Sequence, residues 1–187
     1  KSFIMKTLLS ILVITMWCFK IGYSQEPNLK LKYHSFSLTP LSIYFDDDSG
    51  GFSFNADLGF KKGKHIIKLF GLVASEFSIF DSKTEEFYEF DVLYGRELLA
   101  ENWLYFDFFG GLGYFKRTVT TDSVSSGLLS YSEYKYDREY TIGFHLQTKI
   151  RFQTGRRFSL GIQFYSNINK INPIYGSGIF LQWKSIK

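Results

Sequence analysis

Cysteine, proline and long apolar runs are what this chain of 187 residues has least of. With a single cysteine, Cys18, no disulfide framework can hold the fold together. Three prolines, Pro27, Pro40 and Pro173, make no Pro-rich linker, so nothing divides the bulk of the chain into separate domains. No apolar stretch approaches the ~20 residues that a helix needs to cross a bilayer. The longest, Thr7 to Phe19, lies behind Met5 and Lys6 and ahead of small residues at Gly22 and Ser24. That is the layout of an export signal, and cleavage is expected after Ser24. Cys18 would leave with it. A strong charge of one sign is missing too. The 22 basic and 18 acidic residues look unbalanced, but Lys1, Lys6 and Lys20 all fall in the signal, so the remainder is close to neutral. Nucleic acid is therefore not an expected partner.

What the chain does have is aromatic rings, 20% of all residues, at a mean hydropathy of only −0.08. From Tyr33 onward they sit in eight segments that alternate apolar and polar. Tyr88, Phe90, Val92 and Tyr94 alternate with Glu89, Asp91, Leu93 and Gly95. Tyr140, Ile142, Phe144, Leu146 and Ile150 alternate with Thr141, Gly143, His145, Gln147, Lys149 and Arg151. Residues 52–58 and 158–165 repeat the pattern. Period two places successive side chains on opposite faces of a strand.

The connections are alternately tight and long. Lys61–Lys64, Leu99–Asn102 and Gln153–Arg156 are tight, whereas Asp46–Gly51, Asp81–Glu86, Thr118–Lys135 and Asn167–Pro173 are longer. Short turns on one side and longer loops on the other are the rhythm of a barrel threaded through a membrane. The predicted fold is all-β, a closed eight-stranded antiparallel up-and-down transmembrane β-barrel over residues 25–187. Lipid would face the apolar side, making membrane lipids the expected partner. Tyr33, Phe60, Trp103, Phe152, Phe158 and Trp183 are expected as an aromatic girdle at the turn end. Tyr44, Phe80, Tyr114 and Tyr175 are expected as its counterpart at the loop end.

The polar side would then line a narrow lumen. An eight-stranded barrel is just wide enough for side chains to fill. Asp57, Lys68, Glu76, Glu89, Asp91, Glu97, Asp107, Glu139, His145, Lys149 and Arg151 are expected to pair there as an ionic network, because an unpaired buried charge is costly. A general diffusion pore is excluded on width. Glycines inside the strands give the bends and room that a narrow barrel requires.

In strand number, connection rhythm and the final strand Tyr175–Trp183, the chain resembles the small eight-stranded outer-membrane barrels of diderm bacteria, the OmpA-transmembrane-domain and OmpX type. The resemblance implies an outer-membrane location, a monomer and the barrel-assembly machinery as a partner in biogenesis. Such proteins end in an aromatic residue, whereas this chain ends Ser185-Ile186-Lys187 and offers Trp183 instead.

Chemistry is sparse. No spacing joins His34, His65 or His145 to Ser78 or Ser166 and an acid, as a lipid-modifying hydrolase or transferase would need. Asp46-Asp47-Asp48-Ser49-Gly50-Gly51 departs from a calcium loop at its twelfth position, where Asp57 stands, and reads as a solvated hairpin. No catalytic residue, metal or cofactor is therefore expected. The residues from Thr118 to Lys135, with Tyr131 and Tyr134, form either a binding loop or an exposed strand extension that includes Tyr136. The leading expectation is a structural or surface-interaction protein. The alternatives are a soluble exported lipocalin-like barrel binding an apolar ligand, a narrow ion channel, and a lipid-A-modifying enzyme.

Overall fold

Period-two alternation rich in β-branched and aromatic residues produces strands throughout. The computed structural model describes residues 30–47, 49–77, 83–123 and 133–185. The expected signal (1–24) with Cys18, and Ser78, Phe80 and Tyr131, lie outside them. The strands are β1 (Lys32–Phe45), β2 (Gly50–Lys62), β3 (His65–Glu76), β4 (Lys83–Glu101), β5 (Leu104–Ser123), β6 (Glu133–Gln153), β7 (Phe158–Ile168) and β8 (Ile174–Lys184). Each pairs antiparallel with the next, and β8 pairs with β1 to close the barrel. Closure leaves no sheet edge inside the barrel wall, as backbone in lipid requires. At the tight β2–β3 connection Gly63 takes a φ of 60°, a left-handed conformation that favours glycine.

The two faces divide as the alternation predicts. Phe90 is 57% exposed and Phe144 and Ile162 44%, while Glu89 is 5% exposed and Lys149 and Arg151 are fully buried. Exposed apolar side chains run round the whole outer wall, from Leu41 and Phe54 through Leu112 and Ile142 to Ile179. A soluble surface rarely carries a contiguous apolar patch of more than a few hundred Å². The outer face is a lipid-facing belt. A lipocalin-like barrel would turn these side chains inward, so that alternative is overturned.

Aromatic rings meet in pairs at the turn end: Tyr33 with Phe60, Trp103 with Phe152, and Phe158 with Trp183. At the loop end Tyr114 stacks on Tyr140, and Tyr175 is half exposed. Tyr44 departs from the expected girdle. It is fully buried and packs edge-to-face on Phe87 inside the barrel. The cause is an irregularity in β1. Pairing shifts between Thr39 and Ser42 on the β2 side and between Leu38 and Leu41 on the β8 side, around Pro40. Proline has no N–H to give the ladder and is accommodated at such bulges. The shift inverts the parity, so Ser35, Ser37 and Thr39 point inward below it and Ser42 and Tyr44 above it.

Two further expectations change. β3 is apolar on both faces: Ile66, Phe70, Leu72 and Ala74 are buried alongside Lys68, while Ile67, Leu69 and Val73 are exposed. The lumen is therefore only partly polar. Of the two readings open for Thr118 to Lys135, the strand extension holds over the described residues. β5 and β6 stay paired out to Ser123↔Glu133, whereas β6 parts from β7 beyond Phe144↔Ile168. From Gly143 to Glu133, β6 pairs with β5 alone. Glu139 belongs to this extension. It has lumen parity but stands above the barrel, exposed, and pairs with Arg117 at 3.3 Å instead of joining the lumen network.

Candidate functional site

Among the described residues the lumen gathers many of the ionisable groups, and it is layered. At the turn end Glu97 is a hub. It lies two residues past the last β3–β4 pair, Ile66↔Gly95, at the rim of the wall. Its carboxylate meets His34 Nε2 at 3.0 Å, Lys61 Nζ at 3.2 Å, and Arg151 and Lys184 at 2.8 Å each. Arg151 also grips Asp107 with two donors, Nε at 2.9 Å and Nη2 at 3.2 Å. Its guanidinium and the Lys184 ammonium both lie over the Tyr105 ring.

In the middle, Asp57 takes Lys149 at 2.5 Å and Lys68 at 3.3 Å. Lys68 reaches Gln147 at 3.5 Å and lies 3.7 Å from the centre of the Phe109 ring, while Lys149 lies over Phe180. Gln163 donates to Asn55 at 2.7 Å, and the hydroxyls of Ser53 and Tyr165 meet at 2.7 Å. These β6 and β7 side chains converge because alternate residues of neighbouring strands share the inner face.

One layer further toward the loops, His145 Nδ1 stands 2.8 Å from Asp91 and 3.4 Å from Glu89. Above them the lumen is stoppered by side chains with little charge: Tyr44, Leu72, Ala74, Phe87, Phe115 and Ile174. Glu76 sits at the rim of this stopper, where it accepts the Glu85 backbone N–H at 3.2 Å. Glu85 in turn binds Arg117 through two hydrogen bonds, at 2.5 and 2.9 Å.

Of the residues expected in the lumen, the structure therefore brings Asp57, Lys68 and Lys149 into one cluster, Glu97, Asp107 and Arg151 into a second, and Glu89, Asp91 and His145 into a third. Glu76 and Glu139 belong to the loop-end rim and the extension. Sequence reasoning missed the roles of His34, Lys61 and Lys184, which gather at Glu97, because they lie at strand ends where alternation gives no signal. It also missed the stopper, whose Phe87 and Phe115 occupy positions of lumen parity. Asp46 is engaged in its own turn, accepting from Ser49 N–H and Oγ and from Asn172 Nδ2. That is the hairpin role expected of it.

No protein-family model matches the chain, and no curated protein matches it by sequence. Solved structures do match in shape. Neisserial surface protein A, NspA, superposes with a TM-score of 0.60 at 10% identity, over 82% of this chain and 97% of that one. Ail, the attachment invasion locus protein of Yersinia pestis, superposes with a TM-score of 0.50 at 10% identity, over 83% of this chain and 99% of that one. At such identity the likeness speaks for the fold. Strand count, closure, outward apolar belt and these superpositions agree: the chain has the closed eight-stranded fold of the small outer-membrane barrels.

Proposed function

We propose that the protein is an exported, monomeric, non-enzymatic barrel of the outer membrane. It is closed to ions and serves as a rigid scaffold for the β5–β6 extension at the cell surface. The observation that carries this reading is the filled lumen. Two ionic clusters and the Tyr44–Phe87–Phe115 stopper lie in series along one axis, and Lys68, Lys149 and Arg151 are 2% exposed or less. A barrel of this width has no space left for a hydrated path.

The extension supports the surface role. Above the Tyr140 girdle β6 pairs only with β5, so its far edge from Glu133 to Glu139 offers backbone donors and acceptors that β7 does not take. Such an edge binds partners by strand addition. A hydrolase reading finds little support, since neither ring nitrogen of the buried His145 has a serine hydroxyl as partner among the described residues. Folding by the barrel-assembly machinery, with Trp183 of β8 as its cue, belongs to the same proposal.

Two measurements test it. Purified, refolded protein in planar bilayers is expected to give no unitary currents, and reproducible single-channel steps would overturn the closed lumen. Trypsin applied to intact cells is expected to cut in the extension, at Lys135 or Arg138, and to leave the rest of the barrel uncut. Protection there, with cleavage only after the cells are opened, would overturn the surface placement.

A further inference from the structure

The Glu89, Asp91 and His145 cluster is short of positive charge. Among the described residues the lumen cations near it are committed elsewhere: Lys68 and Lys149 to Asp57, and Arg151 to Asp107 and Glu97. Two carboxylates thus face one imidazole in a layer where all three side chains are fully shielded from solvent. Even a protonated imidazole would leave one negative charge uncompensated, and a buried, uncompensated charge costs several kcal/mol. The oxygens of both carboxylates and both nitrogens of His145 lack a hydrogen bond of good geometry among the described residues. Fully buried polar atoms without a well-formed hydrogen bond call for a specific occupant.

We propose that Glu89, Asp91 and His145 bind a first-row divalent metal ion, of which Zn²⁺ is the type. The three residues each present one donor atom, and these atoms all lie within 4.8 Å of one another. Zinc holds imidazole nitrogen and carboxylate oxygen at ~2.0–2.2 Å, which sets its tetrahedral donors about 3.3 Å apart. The observed separations from Nδ1, 2.8 and 3.4 Å, straddle that spacing. A divalent ion in place of the Nδ1 proton also balances both carboxylates. Imidazole among the donors favours zinc or a neighbouring transition metal over calcium or magnesium, which prefer oxygen alone.

The wall is shaped for the cluster. A Cβ at Gly113 would overlap Asp91 Oδ1, so only glycine lets that carboxylate lie against β5. The Phe70 ring, 4.5 Å from the imidazole centre, and the Tyr165 ring, stacked at 6.1 Å, fix the plane of His145. With the stopper above and the Asp57 cluster below, the ion would enter as the barrel folds. The inference rests on the lumen geometry and is independent of any conductance or surface role.

The test is refolding of the untagged chain into detergent with Zn²⁺ or without it, followed by gel filtration and metal analysis. Folded wild-type protein is expected to retain about one Zn²⁺ per chain and to lose its heat-modifiable mobility at a higher temperature than the zinc-free preparation. His65→Gln, at an outward-facing histidine, should retain the same amount, while His145→Gln and Glu89→Gln should retain little. A zinc-free folded wild type, or equal retention by His145→Gln, overturns the site. Should those variants not fold, Co²⁺ reports on wild type alone. Visible d–d bands that Zn²⁺ abolishes when present during refolding support the site, and a colourless, cobalt-free barrel sinks it.

Discussion

At Asp57 one carboxylate faces two ammonium groups, all three side chains withdrawn from water. Asp57→Ala leaves both lysines buried without a counter-charge, and the expected loss is about 3–5 kcal/mol. Urea unfolding in lipid vesicles measures it. Replacing Lys68 and Lys149 by Met in the same chain should restore most of the loss, because no charge is then left stranded. At the turn-end hub, Glu97→Gln takes away the carboxylate that His34, Lys61, Arg151 and Lys184 share. Wild type should therefore exceed Glu97→Gln in urea midpoint at neutral pH, and equal midpoints would contradict the hub. Residues such as Asp57, Lys149 and Arg151 were legible because alternation assigns their face. The pairing of His145 with Glu89 and Asp91 was not, since β4 and β6 are separated by β5 and no linear spacing records their meeting.

The strands differ in how openly they show their faces. β2, β6 and β7 could be read directly, since apolar and polar residues separate cleanly along them. β3 could not, because the stopper and the flanks of the Asp57 cluster need apolar side chains inside while lipid needs them outside. β1 could be read only as far as Pro40, where an irregularity inverts the inner and outer faces and carries Tyr44 inward. Residues 118–135 stayed open between a loop and a strand extension, because their Ser- and Thr-rich composition suits a coil; cross-strand pairing carries β5 to Ser123 and takes up β6 at Glu133. The belt itself makes a depth-dependent prediction. Leu146 faces outward midway along β6 between Tyr140 and Phe152 and is 43% exposed. Leu146→Lys should cost about 2–4 kcal/mol in vesicles, and Tyr140→Lys, at the girdle, about 0–1 kcal/mol. Equal costs at the two positions would mean that this face does not traverse hydrocarbon.

Across the whole molecule, stability and display are carried by different parts. The belt, the lumen clusters and the stopper all lie where eight strands close on one another, whereas the far end of the extension is held mainly by β5–β6 ladder bonds. Ladder bonds in solvent exchange for water bonds at little net gain. Replacing residues 121–135 by an Asn-Gly turn, which suits a two-residue hairpin connection, should therefore leave a barrel that still closes. Its unfolding free energy should stay within about 0.5 kcal/mol of wild type, and its bilayers should remain silent. The Arg117–Glu85 pair at the rim lies below the cut and would be kept. If the shortened chain fails to show heat-modifiable mobility, the extension takes part in building the barrel, and its role as a separable display element is wrong. If the barrel survives, any partner that the intact cell loses on this deletion was held by the extension and not by the wall.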